Sequence, residues 1–81
     1  MGNIMEEKLK EIVAKVLLVD KTNINDQTSR KDLEEWDSMA HLMLVNEIES
    51  AYEVMISDDD VTGIETVGDI KKILRKLGVA I

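Results

Sequence analysis

The side chains able to do chemistry in this sequence are few, and several gather around one point. Asp37 and Ser38 are adjacent, and His41 lies one turn further on if the segment is helical. A serine hydroxyl near an imidazole and a carboxylate raises the prospect of nucleophilic catalysis. No glycine-rich oxyanion loop or strand-to-helix elbow accompanies the three, so His41 is read as a helix-surface histidine and no residue is assigned as catalytic. A second constellation is acidic. Asp58, Asp60, Thr62 and Gly63 fall at positions one, three, five and six of an EF-hand-like loop, with Asp69 at position twelve. Glu65 stands where that loop wants an apolar residue, Asp69 is one methylene shorter than the bidentate glutamate, and the preceding segment is a poor entering helix. A solvated acidic cap is the better reading, and no metal site is expected. With no Cys and a single His, thiolate sites, disulfide frameworks and histidine clusters are excluded.

The rest of the composition narrows the function classes further. A length of 81 residues suits one domain spanning 1–81, because smaller units bury too little apolar surface to fold alone. Hydrophobic residues make up 44%, yet Trp36 and Tyr52 are the only aromatics, so aliphatic side chains must fill the core and a deep enzymatic cavity is not expected. The net charge of −7 repels nucleic acid and anionic lipid while attracting basic protein surfaces. No apolar run approaches a membrane span, and the acidic start Met5-Glu6-Glu7 is unlike a secretory signal. The expectation is a cytoplasmic monomer that neither inserts in membranes nor binds nucleic acid.

The elements that must position Ser38 follow from periodicity. From Ile4 to Val19, Met5, Leu9, Ile12, Val13, Val16 and Leu17 recur at three- and four-residue steps, which predicts an amphipathic first helix. Residues 20–36 read as a long polar loop, tied down by Ile24, Leu33 and Trp36 as apolar anchors. Asp37 suits the N-cap of a second helix running to about Tyr52, with Ser38 in its first turn. Ser57-Asp58-Asp59-Asp60 opens a short third helix ending near Gly63. Thr66 with Asp69 resembles a capping box for a last helix, whose buried stripe is Ile70, Ile73, Leu74 and Leu77 and which stops at Gly78. Its bases Lys71, Lys72, Arg75 and Lys76 read as a solvated face.

The central helix carries more apolar residues than one face accommodates. At 100° per residue, Met39, Leu42 and Met43 form one stripe, and Leu44, Ile48 and Tyr52 form another, with Val45 between them. So small a chain cannot cover both, which favours a stripe offered to a partner over one folded under the long loop.

Asp37-Ser38-Met39, after a long loop containing Asp32-Leu33 and at the head of an apolar-rich helix, resembles the phosphopantetheine site of acyl carrier proteins. The usual family motif is Asp-Ser-Leu. The likeness runs through the short acidic third helix and the Ile64-Glu65-Thr66-Val67 entry to the last one. It implies an all-α, four-helix bundle with three main helices, a short third helix and a long loop between the first two. It also implies a 4'-phosphopantetheine arm on the Ser38 hydroxyl, whose phosphodiester lies by the unpaired N–H groups of a helix start. Asp37 would help the phosphopantetheinyl transferase hold its metal ion. The protein itself would catalyse nothing, carrying an acyl group as a thioester between a ligase and downstream transferase or synthase enzymes, in fatty-acid, polyketide or related specialised synthesis. Met39, Leu42, Met43 and Asn46 match the positions that meet those enzymes, with Glu47 and Glu49 as acids for basic partner residues. Fatty-acid carriers are commonly acidic just after the serine, where this chain has Ala40, His41 and Met43. Together with Trp36 and Met39, that departure is more like carriers of specialised pathways, including peptidyl and D-alanyl types loaded with an amino acid. An unmodified helical interaction module is the reading from another class.

Overall fold

A computed structural model of the protein describes residues 3–81. Helices α1 (Ile4–Leu17), α2 (Ser38–Tyr52), α3 (Asp58–Gly63) and α4 (Val67–Lys76) form an all-α bundle with a short third helix and a long connection between the first two. Each helix begins where a short polar side chain can satisfy a free N–H. Asn3, Asp37, Ser57 and Thr66 accept from the backbone of Met5, Ala40, Asp60 and Asp69 respectively. The capping box is present: the Asp69 carboxylate accepts from the N–H groups of Glu65 at 3.0 Å and Thr66 at 3.1 Å. These bonds hold the Asp69 carboxyl below its ordinary range.

The core is aliphatic apart from Trp36. Leu9, Val13 and Leu17 of α1 meet Leu44, Val45 and Ile48 of α2 and Ile70 and Leu74 of α4, with Ile24, Trp36, Ile56 and Ile64 closing the ends. Met5, at the open end of α1, is exposed. Two boundaries differ from the periodicity. α1 stops at Leu17 because Leu18 turns left-handed, at φ 57° and ψ 42°, and points into solvent. Leu77 lies past the last turn of α4 and is 38% exposed, so the buried stripe of that helix ends with Leu74 and Ile73 is only half-buried.

The 20–36 connection is held by its anchors, with Ile24 and Trp36 buried and Leu33 packed against the core, and also by backbone pairing. Two short 3₁₀ turns, Lys21–Asn23 and Arg30–Asp32, punctuate it. Between them, the carbonyls of Asp26 and Thr28 accept from the N–H groups of Gly68 and Val67 at 2.8 and 3.0 Å, and Arg30 N–H donates to Glu65 O at 2.9 Å. Helix α4 therefore satisfies its first-turn donors with the loop itself. Gly68 makes this approach feasible, since a Cβ there would stand 3.0 Å from the Asp26 carbonyl oxygen.

Lys71 corrects the expectation of a solvated basic face on α4. It is only 3% exposed and its ammonium meets Glu6 of α1 and Asp26 of the loop, joining three segments. Burial pulls its pKa down, but hydrogen bonds to Asp26 and Glu6 outweigh this and hold it above the ordinary lysine value. The same contact with Lys71 holds Glu6 below the usual glutamate range. Across the bundle, burial raises the Tyr52 phenol from 10.0 to about 12, and its O–H donates to Met5 O at 2.6 Å.

The pH dependence follows with opposite signs at the two ends. Raised values for Lys71 and Tyr52 give stability that is complete below their unfolded pKa values and lost as pH rises through the folded ones. Lowered values for Glu6 and Asp69 give stability present above the unfolded carboxylate range and lost on acidification through the folded values. The expected result is a plateau from about pH 5 to 10 in urea-unfolding free energy, falling on both sides. Tyr52 is the only tyrosine, so its phenolate absorbance reports directly. The midpoint should lie near 12 in native protein and near 10 in denaturant; coincident midpoints would contradict the burial argument.

Candidate functional site

Ser38 is the first residue of α2 and is exposed. Its N-cap neighbour Asp37 turns its carboxylate inward along the helix start, with Oδ1 accepting from Ala40 N–H at 2.8 Å, and the Asp37 carbonyl accepts from His41 N–H at 2.9 Å. Among the described residues the Ser38 hydroxyl has no hydrogen-bond partner, and the N–H groups of Ser38 and Met39 have no acceptor. A hydroxyl that is unengaged, flanked by two free donors at the positive end of a fifteen-residue helix, suits a phosphoester.

The helix start is fixed from below by a buried polar link. Trp36 is 3% exposed and His41 5% exposed. The indole Nε1–H donates to His41 Nδ1 at 2.9 Å, and His41 Nε2 lies 2.8 Å from the carbonyl oxygen of Val61 in α3. Indole is a donor only, so Nδ1 must accept and Nε2 must carry the proton that goes to Val61. His41 is thus the neutral Nε2–H tautomer, clamped between the residue preceding Asp37 and α3. This corrects the reading of His41 as a surface histidine. Its ring is buried, and both its nitrogens are occupied by partners other than Ser38.

An open groove of about 510 Å³ runs beside Ser38, lined by Ser29, Arg30, Lys31, Trp36, Asp37, Ser38 and Glu65. It has the size of a small-ligand cleft. The sequence reading passed over Arg30 and Lys31. The signal was there: they are the only bases between Lys21 and Lys71, and they precede the serine within one loop.

The two stripes of α2 separate as their phases require. Ala40, His41, Leu44, Val45 and Ile48 are buried, whereas Met39, Leu42 and Met43 are 73%, 60% and 51% exposed, so the loop does not fold over them. Asn46 continues this outward face. Glu47 lies at its edge in a surface ion pair with Lys15 at 3.0 Å. Glu49 points elsewhere: its carboxylate accepts from Ile56 N–H at 2.8 Å and fastens the α2–α3 connector. Of the acidic constellation, Asp69 is engaged in the capping box and Asp60 pairs with Lys76, and no group of three or more metal-ligating side chains occurs among the described residues.

A small helical bundle that presents an unengaged serine at a helix start, with an apolar face running away from it, suits the attachment of a group that other proteins act on. The comparisons give it a family. The family model described as Phosphopantetheine attachment site matches residues 7–74. The meromycolate extension acyl carrier proteins of Mycolicibacterium aurum and Mycolicibacterium smegmatis are each 30% identical over 69 residues, covering 85% of this chain and 71% and 70% of theirs. Among solved structures, the holo acyl carrier protein of Geobacter metallireducens superposes with a TM-score of 0.77 at 25% identity, covering 88% of this chain and 82% of that one. A candidate acyl carrier protein from Mycobacterium tuberculosis reaches 0.81 at 28% identity, covering 89% and 96%. The chain belongs to the acyl carrier protein family. It is a phosphopantetheine carrier, not an enzyme.

Proposed function

We propose that Ser38 is the attachment residue of the 4'-phosphopantetheine arm and that residues 1–81 act as one cytoplasmic, monomeric carrier unit for an acyl group. The observation that carries this reading is the position of Ser38: an exposed, unpartnered hydroxyl at the first turn of α2, beside free N–H groups and an open groove. Once attached, the arm supplies a terminal thiol on which cargo travels as a thioester. The chain's own residues supply position. The Asp37 cap and the Trp36–His41–Val61 link hold the helix start in place, leaving the Ser38 hydroxyl directed to solvent where a phosphopantetheinyl transferase can reach it. Asp37 has a second carboxylate oxygen with no bond among the described residues, which suits the proposed help with the transferase's metal ion.

Docking by the transferase, the loading ligase and the downstream transferase or synthase enzymes is proposed on Met39, Leu42, Met43 and Asn46, with Glu47 as the acid at the edge. Glu49 joins that face only by giving up its bond to Ile56, so it contributes least. Exposed apolar contact dominates here, and the acidic steering usual after the serine is weak because Met39 to Met43 include no acid. That balance supports a dedicated enzyme set of a specialised acyl pathway.

The cargo is read by mass. Holo protein isolated from its native cells and fragmented to eject the arm should release pantetheine bearing an acyl group. An ejected aminoacyl thioester would replace the acyl reading with that of a peptidyl or D-alanyl carrier, and native protein without any arm would favour an unmodified interaction module.

A further inference from the structure

We infer that Arg30 and Lys31 form a binding subsite for the arm's own phosphodiester, so that the arm has a docked state along the groove beside Ser38 when no enzyme is bound. The inference rests on attachment at Ser38 and extends it to residues of the preceding loop. Three observations carry it. Both bases line the same groove as Ser38. Neither has a carboxylate within salt-bridge distance among the described residues; Lys8, Lys10, Lys72 and Arg75 share that state, but none of those four lines this groove. The Arg30 guanidinium is also pre-oriented, its Nη1–H donating to Ile64 O at 3.2 Å while its backbone N–H donates to Glu65 O at 2.9 Å.

An anion on Ser38 would therefore face two un-neutralised cations from the loop as well as the free N–H groups of α2. Glu65 and Asp37 line the groove too. Both carboxylates oppose an anion in the groove, and Glu65 adjoins Arg30, whose backbone N–H donates to Glu65 O, so the attraction must come from the two bases and the free N–H groups together. Adding a negative charge to a chain at −7 should otherwise weaken the fold by self-repulsion. The sign of the effect of modification on stability is thus diagnostic.

The test uses apo and holo forms of wild type, Lys31→Gln and Arg30→Gln/Lys31→Gln, with complete modification verified by intact mass. Lys31 is the cleaner substitution, because its ammonium has no partner among the described residues and Gln leaves the backbone turn intact. Holo wild type should melt roughly 4–8 °C above apo at low salt, the shift expected of about one added charge-assisted contact in a domain of this size. That gap should halve in Lys31→Gln and vanish or reverse in the double variant. In parallel, the 31P resonance of folded holo wild type should differ from that of the urea-unfolded form, and the difference should shrink in step. An unchanged melting gap and unchanged 31P shift in the double variant overturn the subsite. Slower transfer with both readouts unchanged also overturns it, assigning the two bases to docking of the transferase instead. Failure of wild type to accept the arm would refute attachment at Ser38 itself, a separate outcome.

Discussion

Replacing His41 with alanine is expected to destabilise the protein by about 2–4 kcal/mol, a large share of the roughly 4–12 kcal/mol expected for a domain of this length. Three losses combine. The buried Trp36 N–H loses its acceptor, the Val61 carbonyl loses its donor, and the volume of an imidazole is left between α2 and α3. Trp36→Phe removes the donor from the other side and should cost less, about 1–2 kcal/mol, since the ring volume is largely kept and only Nδ1 is stranded. If the link acts as one unit, the double variant falls short of the sum by about 0.5–3 kcal/mol in urea unfolding. Additive losses would show that the two residues pack independently. The link also joins α3 to the Ser38 end of α2, so amide exchange in Asp58–Gly63 should quicken in His41→Ala more than exchange in α1.

The second large effect separates docking from folding. Leu42→Ala combined with Met43→Ala should lower kcat/KM for phosphopantetheinyl transfer by about 10–100-fold, as truncation of two central contact residues does in interfaces with a few dominant anchors. Apo stability should stay within about 0.5 kcal/mol, because both side chains are more than half exposed. Met55→Ala is the control: it is 86% exposed in the α2–α3 connector, off the proposed face, and should leave transfer unchanged. Equal losses at Met55 would point to nonspecific apolar contact rather than a docking stripe.

Much of this architecture was legible residue by residue. Caps at Asp37, Ser57 and Thr66 are local chemistry, visible in any short window, and the double stripe on α2 follows from angular arithmetic on Met39 to Tyr52. What escaped depends on long-range pairing. Lys71 looks like its neighbour Lys72 until Glu6 and Asp26 arrive from distant segments to neutralise it. His41 looks like a surface residue because its acceptor, Val61, lies in another helix. The anchors Ile24 and Trp36 of the 20–36 connection are buried as expected, but its pairing with backbone groups of α4 is not encoded in side-chain patterns. At the site, Asp37 and Ser38 stood out as a motif, but Arg30 and Lys31 gain meaning only when the loop folds back beside the helix start.

The most direct measurement of the central claim is intact mass after incubating folded protein with coenzyme A, magnesium and a broad-specificity phosphopantetheinyl transferase. Wild type should gain one arm of roughly 340 Da, located on the peptide containing Ser38, while Ser38→Ala gains none and unfolds at the same urea concentration as the parent. An arm that still attaches to Ser38→Ala, or attaches to no residue of the folded wild type with any competent transferase, would contradict it.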